Sequence, residues 1–167
     1  MTIPEVAILG RRVTWVDGLA TYEADDRHAQ MICEDMGLSC DSKGLTCPIV
    51  KVAADEVIVE EPELEPREAT RFRATGARAN FLAQDRSDMQ YAAKEICREM
   101  SKPKESSQEK LKRLARFFLE FSRLVWEYRE WAVQPKNLEV FGDSDWAGCV
   151  RSNKSTSGGV ATLGGVT

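Results

Sequence analysis

The chain has 167 residues and a mass of 18.7 kDa, with 43% hydrophobic and 30% charged residues. That composition excludes a disordered or collagen-like chain. No apolar run approaches the ~18 residues needed to cross a bilayer, so no membrane partner is expected. The net charge of −4 conceals an asymmetry: residues 1–66 hold 5 Lys/Arg and 14 Asp/Glu, whereas residues 67–134 hold 15 and 10. A basic middle segment suits a polyanionic partner. The N-terminus has no basic start followed by a long apolar stretch, and the cysteines number five, Cys33, Cys40, Cys47, Cys97 and Cys149. Together these predict an intracellular protein, cytoplasmic or nuclear and not secreted, with free thiols.

In chain order, Val6–Leu9 and Arg12–Val16 read as β-prone. Asp17-Gly18 signals a hairpin, and Leu19–Glu23 is the returning strand. A short helix is expected from Asp26 to Met36, ended by Gly37, with Ala29, Ile32, Cys33 and Met36 at helical spacing. Residues 39–66 contain three prolines and the acidic run EVIVEEPELEPRE, which reads as an extended, solvated linker. Three helices follow: Glu68 to Leu82; one starting near Asp88 with Ser87 as N-cap; and Ser107 to Phe121. Met89, Ala92, Ala93, Ile96, Cys97 and Met100 make the buried stripe of the second, which Pro103 stops. Leu124–Tyr128, Leu138–Phe141 and Gly158–Leu163 read as strands. The order predicts an α+β fold in two parts.

Lys110, Lys112, Arg113 and Arg116 decorate the third helix and are the candidate phosphate contacts. Trp126, Tyr128 and Trp131 are expected to pack between the helical and strand parts. His28 is expected on a helix surface. The cysteine spacings contain no C-x2-C pair, so no zinc site is expected.

The richest stretch is LEVFGDSDWAGCVRSNKSTSGGVATLGG, residues 138–165. It fails as a calcium loop, because Ala147 and Lys154 stand at ligand positions. It fails as a P-loop, because Asn153 replaces the second Gly and no helix follows. What remains is a pair of carboxylates, Asp143 and Asp145, leaving an apolar strand. Such carboxylates suit Mg²⁺, a hard cation that wants oxygen ligands on rigid supports.

This stretch resembles the start of the ribonuclease H domain in polyproteins of copia-type long-terminal-repeat retrotransposons. That family's pattern is roughly SDADWAG, a variable stretch, RRSTSGY and a strand ending near LGG. Ser144–Gly148, Lys154–Gly158 and Leu163–Gly165 keep it; Gly142 and Gly159 depart from it. Upstream, RFRATGARANFLAQDRSDMQYAAKEICREMSKP and EKLKRLARFFLE are similar to the family's helical connection. The first hairpin, the helix ending at Gly37 and Thr46-Cys47-Pro48 resemble the end of its reverse transcriptase.

The resemblance implies residues 1–38 as the end of the reverse transcriptase, 39–66 as an acidic linker, 67–122 as a helical connection and 123–167 as an incomplete, mixed ribonuclease H-like sheet. It implies an RNA·DNA hybrid as partner, no small-molecule cofactor, and Asp143 as a catalytic ligand of Mg²⁺ that helps activate water. The family's polymerase aspartates precede this region. The other three ribonuclease H carboxylates belong to motifs beyond Thr167, so the chain is expected to be inactive alone. Thr75 and Gly76 stand at usually apolar helix positions and read as drift. Two other readings remain open: a non-enzymatic nucleic-acid-binding module, and a decayed remnant whose open sheet exposes an unpaired edge.

Overall fold

A computed structural model describes residues 4–50, 61–129, 134–149 and 153–164. Most of the acidic run and Trp131 lie outside the described residues. The fold is α+β. Strands β1 (Glu5–Ile8), β2 (Arg11–Val16) and β3 (Leu19–Glu23) precede helices α1 (Arg27–Asp35), α2 (Pro66–Leu82), α3 (Gln90–Cys97) and α4 (Glu105–Glu120). Strands β4 (Val125–Arg129), β5 (Leu138–Ser144) and β6 (Ser157–Leu163) follow.

Strands β1 to β4 form one antiparallel sheet in the order β1-β2-β3-β4. Its two tight turns, Leu9-Gly10 and Asp17-Gly18, have both central residues at positive φ. That is the turn whose twist matches paired strands. The order of the chain groups residues 125–129 with the C-terminal part. The register instead sets β4 beside β3, with Tyr22 opposite Trp126 and Ala20 opposite Tyr128. Period-2 alternation then sorts the sheet: Val6, Val13, Tyr22 and Trp126 align on one face, and Glu5, Thr14, Thr21 and Glu127 on the other.

The core lies among the four helices. Ile32 of α1, Phe72 and Leu82 of α2, Met89, Ile96 of α3, and Leu111, Leu114 and Phe118 of α4 are all buried in one cluster. Each such side chain contributes roughly 1.5–3 kcal/mol by leaving water. The second of the three expected helices starts as a 3₁₀ turn at Ser87–Met89, so Ser87 lies inside the turn and Arg86, not Ser87, holds the N-cap position. Pro66 opens α2, two residues before the expected start, because a proline at the first helical position loses no hydrogen bond. The N-terminus of α4 is held by the Lys104 N–H donating to Ser107 Oγ at 2.9 Å.

Gly76 has a role that drift does not explain. A Cβ there would lie 2.8 Å from the terminal methyl of Met100 and 3.4 Å from Ile96 Cγ2, so the glycine sets how closely α2 and α3 approach. Thr75, buried beside it, donates its hydroxyl to Asp35 at 2.9 Å. Gly76→Ala is expected to change stability by less than about 1 kcal/mol in urea unfolding. The Met100 methyl swings aside, and alanine gains roughly 1 kcal/mol of helix propensity. Gly76→Val is expected to cost about 1–3 kcal/mol, because branched bulk overpacks the crossing.

Candidate functional site

β5 and β6 pair over seven residues, from Leu138 opposite Leu163 to Ser144 opposite Ser157. Asp143 sits opposite Gly158, exposed and one residue from the hairpin's end. The connecting loop is closed by its own bonds. The Asp145 N–H donates to the Thr156 carbonyl at 3.0 Å, and the Thr156 N–H donates to Asp145 Oδ1 at 2.5 Å. The Ala147 N–H donates to Ser155 Oγ at 3.1 Å, and the Cys149 and Asn153 amides bond to Lys154 and Cys149 carbonyls. The DSDWAG and KSTSGG blocks are thus two sides of one loop. A Cβ at Gly148 would fall 2.1 Å from Asp145 Oδ2, so any larger residue there has to displace that carboxylate.

The donor set does not fit a Mg²⁺ site. Asp143 offers one exposed carboxylate, and Asp145 accepts a backbone amide. Among the described residues no three His, Cys, Asp or Glu side chains converge as metal ligands.

The four candidate phosphate contacts on α4 are not equally available. Lys110 Nζ lies 2.5 Å from Glu99 Oε1, with both side chains largely buried. Arg116 Nε donates to the Lys43 carbonyl at 2.8 Å and fastens the loop after α1 to α4. Lys112 is exposed, and Arg113 is half-buried with its Nε out of water.

Three arginines of the basic middle segment serve helix ends, where cations meet orphan carbonyls at the negative pole of the helix dipole. Arg71 donates to the carbonyl of Asp35, the last residue of α1. Arg73 Nε donates to the Met100 carbonyl at 2.7 Å, just past α3. Arg86 donates to the Phe121 and Ser122 carbonyls at 2.9 and 3.0 Å, just past α4. A charge count sees these arginines but not their partners.

Sequence reasoning missed the groups that join sheet to helices. Asp85, in the turn after α2, accepts Arg11 Nε at 2.9 Å and the Tyr22 hydroxyl at 2.5 Å. Its carbonyl accepts Trp126 Nε1 at 3.0 Å. This is how Trp126 comes to bridge sheet and helices. Burial, with Asp85 as acceptor, pushes the Tyr22 hydroxyl up to about 12. An acidic residue in a loop carries no sequence mark of such a role. His28 is half-buried rather than on the surface, its ring 5.0 Å from Phe81. The five cysteines form no disulfide; burial pushes the Cys33 and Cys97 thiols up.

Glu23, at the end of β3, is buried and paired with Arg123, which precedes β4. The Arg123 guanidinium holds its carboxyl below the usual 4.5. A depressed folded value means the stabilisation is complete above pH 4.5 and disappears as pH falls through the folded value. Arg123→Ala is therefore expected to flatten the acid limb of the stability profile below pH 4.5, measured by urea unfolding at stepped pH. The loss is fully expressed at neutral pH, and it is modest because Arg123 is half exposed and screened.

No family model and no solved structure matches the chain. An uncharacterized mitochondrial protein of Arabidopsis thaliana is 26% identical over 144 residues, which are 86% of this chain and 57% of that protein. The chain thus spans less than two thirds of the length of the curated relative it matches. Among the described residues no helix is long and apolar enough to cross a membrane.

Proposed function

We propose that the chain derives from the polyprotein of a copia-type retrotransposon, covering the end of the reverse transcriptase, the helical connection and the first strands of ribonuclease H. The observation that carries this reading is the β5–β6 hairpin. Both blocks of the resembling motif meet in its one closed loop, with Asp143 at the hairpin's end. The relative's match along most of the chain is compatible with it. Asp143 would be one metal ligand of the complete enzyme. The described residues supply too few converging carboxylates for the paired Mg²⁺ ions of phosphodiester cleavage, and on this reading no cleavage of a hybrid is expected.

Contact with an RNA·DNA hybrid on α4 then falls to Lys112 and Arg113, since Lys110 and Arg116 are engaged within the protein. Two phosphate contacts give a plot of log affinity against log salt with a slope of about −2. The test is fluorescence anisotropy of a labelled hybrid at several salt concentrations. The Lys112→Ala/Arg113→Ala variant is expected to abolish binding. Unchanged affinity in that variant, or a slope of −4 or steeper, contradicts this assignment.

A further inference from the structure

We infer that Asp145, Thr156 and Lys94 form a clasp that seats the β5–β6 hairpin on α3, and that Asp145 is a positioning residue rather than a second metal ligand. The clasp deepens the ribonuclease H reading of Asp143 but stands on contacts independent of it.

Asp145 meets Thr156 twice, through its own N–H and through its carboxylate Oδ1. The two bonds close the hairpin's end as a ring. The other carboxylate oxygen lies over Gly148, on the inner side of the loop. From outside the loop, Lys94 of α3 donates from Nζ to Thr156 Oγ1 at 2.8 Å. One turn on, Arg98 Nη2 lies 2.7 Å from Cys149 Sγ, and Glu95 between them takes both cations, at 2.9 and 3.1 Å. Residues 94 and 98 are i and i+4 and share one helix face. That face meets the loop at residues 149 and 156, so α3 grips both of its sides. Asp143 lies two residues before the clasp, outside it and open to solvent. The two aspartates of the motif therefore divide the work: one fixes the loop, the other is presented by it.

The test is hydrogen exchange of the amides of Asp145, Cys149, Asn153 and Thr156, with no metal or nucleic acid present. Failure here would leave the Asp143 reading untouched, and failure of that reading would leave the clasp untouched. Lys94→Met and Thr156→Val are expected to speed exchange at these four amides about tenfold, with the amides of α4 unchanged. Asp145→Ala is expected to do the same. Asp145→Asn keeps an oxygen acceptor for Thr156 and is expected to restore protection to within about threefold of the native protein. Exchange unchanged in Lys94→Met and Thr156→Val overturns the clasp, and those surface variants carry the test even if Asp145→Ala does not fold. Asp145→Asn exchanging as fast as Asp145→Ala overturns the positioning role.

Discussion

Arg86→Met is expected to lower stability by about 3–5 kcal/mol, because it removes one partner from a buried, charged network. The guanidinium is 2% exposed. It donates to Asp88 from Nε at 2.9 Å and from Nη2 at 2.6 Å, and to the carbonyls of Phe121 and Ser122. It also lies 5.4 Å from the centre of the Phe118 ring. Methionine fills much of the volume but leaves a carboxylate and two carbonyls without their donor, and unmade buried bonds cost more than made ones contribute. The expected fall in melting temperature is about 10 °C, at roughly 2–4 °C per kcal/mol for a chain of this size. Arg86→Lys is expected to recover less than half of the loss, because one ammonium does not reproduce a planar fork that reaches Asp88 and the helix end together. Arg86→Met/Asp88→Leu is expected to recover part of it by removing the stranded charge. A loss below about 1 kcal/mol in Arg86→Met would contradict the network.

Asp85→Ala is expected to cost about 2 kcal/mol, by stranding the partly buried Arg11 and Tyr22 groups. Spectrophotometric titration gives the more specific signal. Tyr22 is expected to ionise near pH 12 in the native protein. In Asp85→Ala its value falls toward 10 without reaching it, since burial persists and only the acceptor is lost. The link to stability has a definite sign. A raised folded value means that the stabilisation is complete below pH 10 and disappears as pH climbs toward 12. The native protein should therefore lose stability between those values, and Asp85→Ala should lose less there. Trp126 provides an internal control, because its bond is to the Asp85 backbone carbonyl and survives the substitution.

The helices and hairpins were legible because they follow from local rules. Apolar residues three and four apart marked α1 and α3, and Asp17-Gly18 marked the β2–β3 turn. The pairing of β3 with β4 was not legible, because about 100 residues separate Glu23 from Val125 and strand order is no local property. Gly76 misled for a related reason. Its helix-propensity cost is local, whereas its packing role needs Met100, in the turn after α3.

At the site, residue types pointed to Asp143, and the structure leaves it exposed. They also pointed to Lys110 and Arg116, which proved to be engaged by Glu99 and the Lys43 carbonyl. A charge count sums cations without asking where the acids and carbonyls fall in space. For the same reason Arg71, Arg73 and Arg86 looked like part of a basic surface and turned out to hold helix ends.

The measurement that tests the account most directly is incubation of the native chain, Asp143→Asn and Asp145→Asn with a labelled RNA·DNA hybrid and Mg²⁺, with cleavage read on a denaturing gel. Among the described residues no three His, Cys, Asp or Glu side chains converge as metal ligands, so all three proteins are expected to leave the hybrid intact. Mg²⁺-dependent cutting of the RNA strand by the native chain, lost in Asp143→Asn, would contradict that.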